Sequence, residues 1–233
     1  MKYNPIKKIL ILATILLVPG FLYYLLQEKG ENRYKSLPIF GPKQVASTFH
    51  SVKGKQIPDT IYHTIDDFKF VNQNAEIVSR QKFNDKILIV SLFYTKATGN
   101  GIEVTNKYLK DLYKEFEKNH LIQFVSLSID YKHDKPEDLA NYAKTFGFTG
   151  KKIDILTGDS IQVKQFVKDG LRLDAFYNEA EGKFVYNNMF VLLDTKHRVR
   201  GYYQATSKEA VSKLEDEIKV LIAEELRNIK DGR

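Results

Sequence analysis

The chain contains no cysteine and no tryptophan, and only two methionines and six prolines, in 233 residues. The missing cysteine excludes the most. No disulfide can form, no thiolate can ligate a metal and no cysteine nucleophile exists, whatever the fold. With methionine only at Met1 and Met189, a methionine-rich metal site is excluded too. Cysteine usage therefore says nothing about compartment, which has to be read from the N-terminus. An arginine-rich stripe with interleaved aromatics is also lacking, which argues against nucleic-acid binding. There are no internal repeats and no low-complexity tract.

What is present is ordinary for a globular protein: 43% hydrophobic and 28% charged residues. The formal net charge is +7, and Lys2, Lys7 and Lys8 precede the first apolar run, leaving +4 for the rest. Such a mild excess suits solubility near an anionic membrane surface.

Ile9 to Leu26 reads ILILATILLVPGFLYYLL, 18 residues without a charge. As a helix it spans roughly 27 Å, close to the thickness of a hydrocarbon core. Pro19-Gly20 is tolerated in a membrane helix, and Tyr23 and Tyr24 suit an interface. A cleaved signal peptide fits less well, because the run is long and no small-x-small site follows it. The expected organisation is an N-terminal tail over 1–8 and a single transmembrane anchor over 9–26. The short basic tail places the N-terminus in the cytoplasm and the rest in the periplasm or an equivalent extracytoplasmic space. Lys29, Arg33 and Lys35 partly balance that bias.

Residues 27–64 read as a tether, with Gly30, Pro38, Gly41-Pro42, Gly54 and Pro58 and few periodic apolar positions. The domain is expected over 65–229, with a tail at 230–233. Phe68 to Val71 and Ala75 to Val78 read as a short hairpin around Asn72-Gln73-Asn74. Ile87 to Phe93 is almost wholly apolar, as in a central strand covered on both faces. Val104, Tyr108, Leu109, Leu112, Tyr113 and Phe116 then follow at helical spacing, with Asn100 and Glu103 as a capping box. Leu121 to Ser128 is the next strand, so a parallel crossover is expected.

Asp134-Lys135-Pro136-Glu137 opens a second helix, which ends at Gly147. Ile153 to Leu156 is a strand. Asp159 caps a third helix, with Ile161, Gln165 and Phe166 near one face and Gly170 as its end. Residues 171–186 read as irregular. Met189 to Leu193 and Val199 to Tyr203 form an antiparallel hairpin. Thr206-Ser207-Lys208-Glu209 caps a last helix with the stripe Val211, Leu214, Ile218, Leu221 and Ile222. Parallel strands early, an antiparallel hairpin late and a closing helix describe an α/β, thioredoxin-like fold. Its central mixed sheet carries helices on both faces.

Several stretches resemble the SCO/SenC family of membrane-tethered thioredoxin-fold proteins. They are IDDFKFVNQNAEIVS, KILIVSLFYT, SIDYKHDKPEDLANYAKTFG with Asp130, Asp134, Pro136, Glu137 and Leu139, then LTGD at 156–159, FVLLD at 190–194 and RGYY at 200–203. The resemblance runs from about Ile65 to Ile222. It implies a role in building the dinuclear copper site of cytochrome c oxidase, by binding copper or by thiol–disulfide reduction. It also implies two cysteines and a histidine as ligands, at positions that here hold Ala97, Gly101 and Tyr186. The family's loop prolines correspond to Thr98 and Ile102. Copper(I) needs soft thiolate or thioether donors completed by imidazole. Alanine and glycine offer no donor, and a neutral phenol is a poor one. Disulfide exchange needs a thiolate, and there is none.

Of the five histidines, His50, His63, His120, His133 and His197, no two are spaced as a ligand pair. His120 ends a helix and His197 lies in a hairpin turn, where exposure is expected. A relocated metal site from His133, Asp130 and Asp134, with Met189, is the alternative to weigh; helix capping and a solvated loop explain the same residues. Thr95, Thr98 and Thr105 have no assignable base, so no catalytic set is expected. Gly99-Asn100-Gly101 resembles a phosphate-cradling turn but reads more simply as a flexible one.

The expectation is thus a non-enzymatic, cofactor-free interaction or assembly factor linked to oxidase maturation. Its partners would be the membrane through residues 9–26 and oxidase subunits or a cysteine-bearing SCO-like paralogue. A copper carrier using His133 and an enzyme of new chemistry are the alternatives.

Overall fold

The apolar N-terminal run folds as helix α1, Pro5–Glu28, with Pro19 inside it. Residues Ile6–Tyr24 are long and apolar enough to cross a membrane. The structure is a computed structural model that describes residues 5–28, 36–52, 54–148 and 150–230. Lys29, Arg33 and Lys35, and the end of the expected tail at 231–233, lie outside the described residues. The chain divides into two compact units, Met1–Ser36 and Leu37–Arg233.

The second unit begins well before Ile65. Strands β1 (Lys43–Val52) and β2 (Lys55–Tyr62) form an antiparallel hairpin inside the stretch expected to be a plain tether. Gly54, at φ 78°, supplies the left-handed turn residue that reverses the chain. Residues 37–42 are fixed as well. Phe40 N–H donates to the carbonyl of Val199, and Arg200 donates to those of Leu37 and Pro38.

The remaining elements run β3 (Lys69–Asn72), β4 (Ile77–Ser79), β5 (Ile87–Phe93), α2 (Asn100–Phe116), β6 (Ile122–Ser128), α3 (Pro136–Phe146), β7 (Ile153–Thr157) and α4 (Ser160–Gln165). A π-helical turn, Phe166–Gly170, extends α4. Then come β8 (Ala175–Asn178), β9 (Lys183–Tyr186), β10 (Met189–Leu193), β11 (Val199–Gln204) and α5 (Lys208–Lys230).

The main sheet has the order β11-β10-β5-β6-β7-β3-β4. Strands β5, β6 and β7 are parallel, and β10, β11, β3 and β4 join antiparallel. Every residue of β5 and of β6 is buried, because both sheet faces are covered. On one face Ile87, Ile89 and Phe93 pack with Leu109 and Leu112 of α2, Leu139 of α3 and Leu214 and Ile218 of α5. On the other, Leu88, Val90 and Leu92 pack with Val163, Phe166 and Val167. The thioredoxin-like arrangement expected from periodicity is the one observed.

Several local expectations are corrected. Gly99, at φ 103°, is the N-cap of α2, and no side-chain cap bond forms there. The cap of α5 is Ser207, whose hydroxyl accepts from Ala210 N–H. Ile161 points to solvent, while Val163, Phe166 and Val167 form the buried stripe. Residues 175–186 are a hairpin of two strands. Asp159 does cap α4, accepting from Ile161 and Gln162 N–H.

Candidate functional site

Strand β5 ends at Phe93 and delivers the loop 94–99 to the start of α2. The loop begins with a turn in which Ala97 N–H donates to the carbonyl of Tyr94 at 3.1 Å. Asp134 fixes it. Its carboxylate accepts from Thr95 N–H at 3.0 Å, from the Thr95 hydroxyl at 2.5 Å and from the Ser128 hydroxyl at 2.5 Å. The side chain is buried, so the three donors replace the water it would otherwise hold. Asp134 is therefore not a solvated helix cap. It ties the loop after β5 to the end of β6. The cap position of α3 falls to Lys135, whose N–H donates to Asp138 at 2.9 Å.

Ala97 is half-buried and Gly101 exposed in the first turn of α2. Tyr186, the last residue of β9, comes to the same loop. Its ring meets Tyr94 at 6.2 Å, inclined at 79°. Burial pushes the Tyr186 phenol up to about 12, and the neighbouring Tyr94 adds to the shift. It is thus a neutral hydroxyl at ordinary pH. The structure brings Tyr186 to Tyr94 of the loop that carries Ala97 and leads to Gly101, but the three residues Ala97, Gly101 and Tyr186 offer no thiolate, thioether or imidazole. They do not fit copper(I).

The space behind the loop is filled by paired groups. Tyr142 of α3 packs on Phe93 at 4.4 Å, and its hydroxyl exchanges hydrogen bonds with the Asn106 amide at 2.7 and 2.9 Å. Burial raises the Tyr142 phenol, although the amide favours the ionised form. Asn188, just before β10, donates to the Thr105 hydroxyl at 2.9 Å. Thr105 is one of the threonines the sequence singles out; Asn106, Tyr142 and Asn188 do not stand out by sequence spacing.

His133 and Asp130 do come together. The ring Nδ1 lies 2.8 and 2.9 Å from the two carboxylate oxygens of Asp130. His133 is exposed and Asp130 buried. Asp134, whose oxygens are taken by Thr95 and Ser128, does not join them, and Met189 sits half-buried at the head of β10. Among the described residues, no three His, Cys, Asp or Glu side chains gather as a metal-holding group.

Three of the other histidines have structural partners. His50 pairs with Asp59 across the β1–β2 hairpin at 2.6 Å, and His63 Nε2 donates to the Gly170 carbonyl at 3.0 Å. His120 is exposed, as expected. His197 is not: it is 4% exposed, and its Nε2 donates to the Phe83 carbonyl at 3.0 Å. Arg80 lies 3.5 Å from its other ring nitrogen. Burial holds its pKa below the usual histidine value, so the neutral ring is favoured.

A parallel strand–helix–strand core, antiparallel at both edges and with a loop presented at the end of β5, defines a thioredoxin-like protein. The SCO1/SenC family model matches residues 58–222, and the chain belongs to that family. It is 21% identical over 168 residues to the SCO1 protein homolog of Bacillus subtilis (strain 168), covering 71% of this chain and 86% of that one. Among solved structures it resembles a SCO1/SenC family lipoprotein from Bacillus anthracis str. Ames, at 23% identity and a TM-score of 0.63, covering 68% of this chain and 95% of that one. It also resembles BsSco, a member of the Sco family of cytochrome c oxidase assembly proteins in which a disulfide switch is identified. There the identity is 21%, the TM-score 0.58 and the coverage 67% and 91%. These structural likenesses concern the fold.

Proposed function

We propose that this chain is a membrane-anchored SCO1/SenC protein that serves cytochrome c oxidase maturation as a docking or assembly factor. It does so without transferring copper and without exchanging disulfides. One observation carries the reading. The family's fold persists in a chain with no cysteine, and the positions that the resemblance matches to the family's ligands hold Ala97, Gly101 and a neutral, half-buried Tyr186. Copper transfer and thiol exchange both need sulfur donors at that loop. The partners in this reading are oxidase subunits or a cysteine-bearing SCO-like paralogue. The chain is held by the α1 segment, with its N-terminus in the cytoplasm and the domain outside. A relocated cation site at His133 receives no support, because only Asp130 converges on that ring.

The test is isolation of the tagged full-length protein from its native membranes in mild detergent, with quantitation of co-isolating proteins. Enrichment of oxidase subunits or of a cysteine-bearing SCO-like paralogue is expected. Recovery of the tagged protein with neither enriched over an untagged control contradicts the reading.

A further inference from the structure

We infer that the groove between the π-helical turn and β8 is a peptide-docking site, which takes an extended acidic segment of a partner protein as an added strand. The inference deepens the docking role proposed above and rests on it only for the identity of the partner.

The groove has a volume of about 450 Å³. Its floor is apolar, built by Ile129, Val163 and Val167, and Phe184 closes one end. π-helical turns are frequent at functional sites. Phe184 also packs against Tyr94 at 5.2 Å, so the groove adjoins the loop of the family site.

One wall is a strand edge. Residues 173–177 line the groove consecutively, whereas β9 contributes only Phe184. Strand β8 has β9 as its one neighbour in the sheet, so its other edge faces the groove. The register tells which backbone groups point there. Asn187 N–H donates to the carbonyl of Asp174, so Asp174, Phe176 and Asn178 turn their backbone groups toward β9. Ala175 and Tyr177 turn theirs outward. An extended peptide can satisfy them by strand addition, dropping alternate side chains onto the apolar floor.

Charge selects the peptide. Lys164 and Lys168 stand one helical turn apart on the opposite wall, both exposed. Among the described residues neither has an acidic partner within salt-bridge distance, and Lys164 Nζ lies 5.7 Å over the Tyr131 ring. Two ammonium groups against the single lining carboxylate, Asp174, leave the groove net positive beside its apolar floor and favour acidic residues alternating with apolar ones.

The test uses full-length protein in lipid nanodiscs and fluorescence anisotropy with two labelled pentapeptides. One alternates valine with glutamate; the other carries lysine in place of glutamate. The wild type is expected to bind the glutamate peptide at least tenfold more tightly. Lys164→Glu combined with Lys168→Glu, which leaves the strand intact, should abolish or reverse that preference. Ala175→Pro removes one outward N–H at a position where an edge strand tolerates proline. It should weaken the glutamate peptide at least tenfold while the Tyr186 and Phe184 resonances stay in place.

Equal affinity for the two peptides, no binding of either, or unchanged binding in both variants overturns the inference. Those results leave the assembly reading standing. Failure to co-isolate a partner from membranes would remove that reading and leave a peptide-binding groove standing.

Discussion

Thr95 and Asp134 make a two-point contact. The backbone N–H of Thr95 reaches one carboxylate oxygen of Asp134 at 3.0 Å and its hydroxyl reaches the other at 2.5 Å. With Ser128 as third donor, this buried carboxylate joins the loop after β5 to the loop after β6. Asp134→Ala leaves those donors without an acceptor and should cost about 3 kcal/mol. For a chain of this size that lowers the melting temperature by roughly 6–12 °C. Asp134→Asn should cost less, since the amide keeps one acceptor oxygen. Thermal unfolding of the full-length protein in detergent micelles checks both, and an Asp134→Ala melt equal to wild type refutes the role.

Arg200 holds the residues that precede the β1–β2 hairpin. It is 1% exposed and donates to Asp194 at 3.1 Å, to Glu224 at 2.9 Å, to the Leu37 carbonyl at 2.6 Å and to the Pro38 carbonyl at 3.1 Å. Lysine has three donors on one nitrogen and cannot span these acceptors. Arg200→Lys should therefore destabilise by about 3 kcal/mol, as for a broken buried ion pair. It should also release residues 37–42, so tryptic cleavage after Lys43 should speed up several-fold. Digestion followed by mass spectrometry reads this directly.

Acid should weaken the fold through His197. Its folded pKa lies below the ordinary 6.5, chiefly because the ring is buried. Between the folded value and 6.5 the unfolded chain binds more protons, so stability rises with pH across that window. The His197 contribution is complete above pH 6.5 and is lost as pH falls toward the folded value. His197 has φ 57°, a left-handed conformation that asparagine accepts, so His197→Asn removes the titration without straining the backbone. Melting temperature measured from pH 7.5 to 5 should fall less steeply in that variant than in wild type.

The loop should still accept the family's ligands. A side chain at Gly101 would meet open space. Ala97→Cys, Gly101→Cys and Tyr186→His together should create one copper(I) site per chain. Tyr186→His alone should not, because imidazole without soft donors does not hold copper(I). Competition against a copper(I) chelator distinguishes the two proteins. A triple variant that stays empty would show that the loop geometry, and not only its donors, has diverged.

Much of this fold is legible in the sequence, for a physical reason. Strand β5 lies in a parallel core covered on both faces, so Ile87 to Phe93 shows as an unbroken apolar run. The stripe Val211, Leu214, Ile218 and Leu221 is equally plain, since α5 covers the sheet with one face. The two peripheral hairpins are less so. Strands β1 and β2 keep Val45, Phe49, Ile57 and Ile61 exposed, so no inside–outside alternation marks them. For β8 and β9 the signal was available, in Gly182 between two short aromatic runs.

At the site, the absence of sulfur is read straight from composition. What surrounds it is not. Asp134 looks like a helix cap until Thr95 and Ser128 are brought to it from two other segments. His197 looks like a turn residue until Phe83 closes over it. Contacts such as Thr95 to Asp134 and His197 to Phe83, 39 and 114 positions apart, leave no periodic trace.

The central claim is that this SCO1/SenC protein works without the family's copper chemistry. The most direct measurement is a copper(I) titration of the full-length wild-type protein in micelles, in competition with a chromogenic chelator. The account predicts that the chelator keeps all the copper, with no break at one equivalent. A saturable site that takes one copper(I) per chain from the chelator would contradict it.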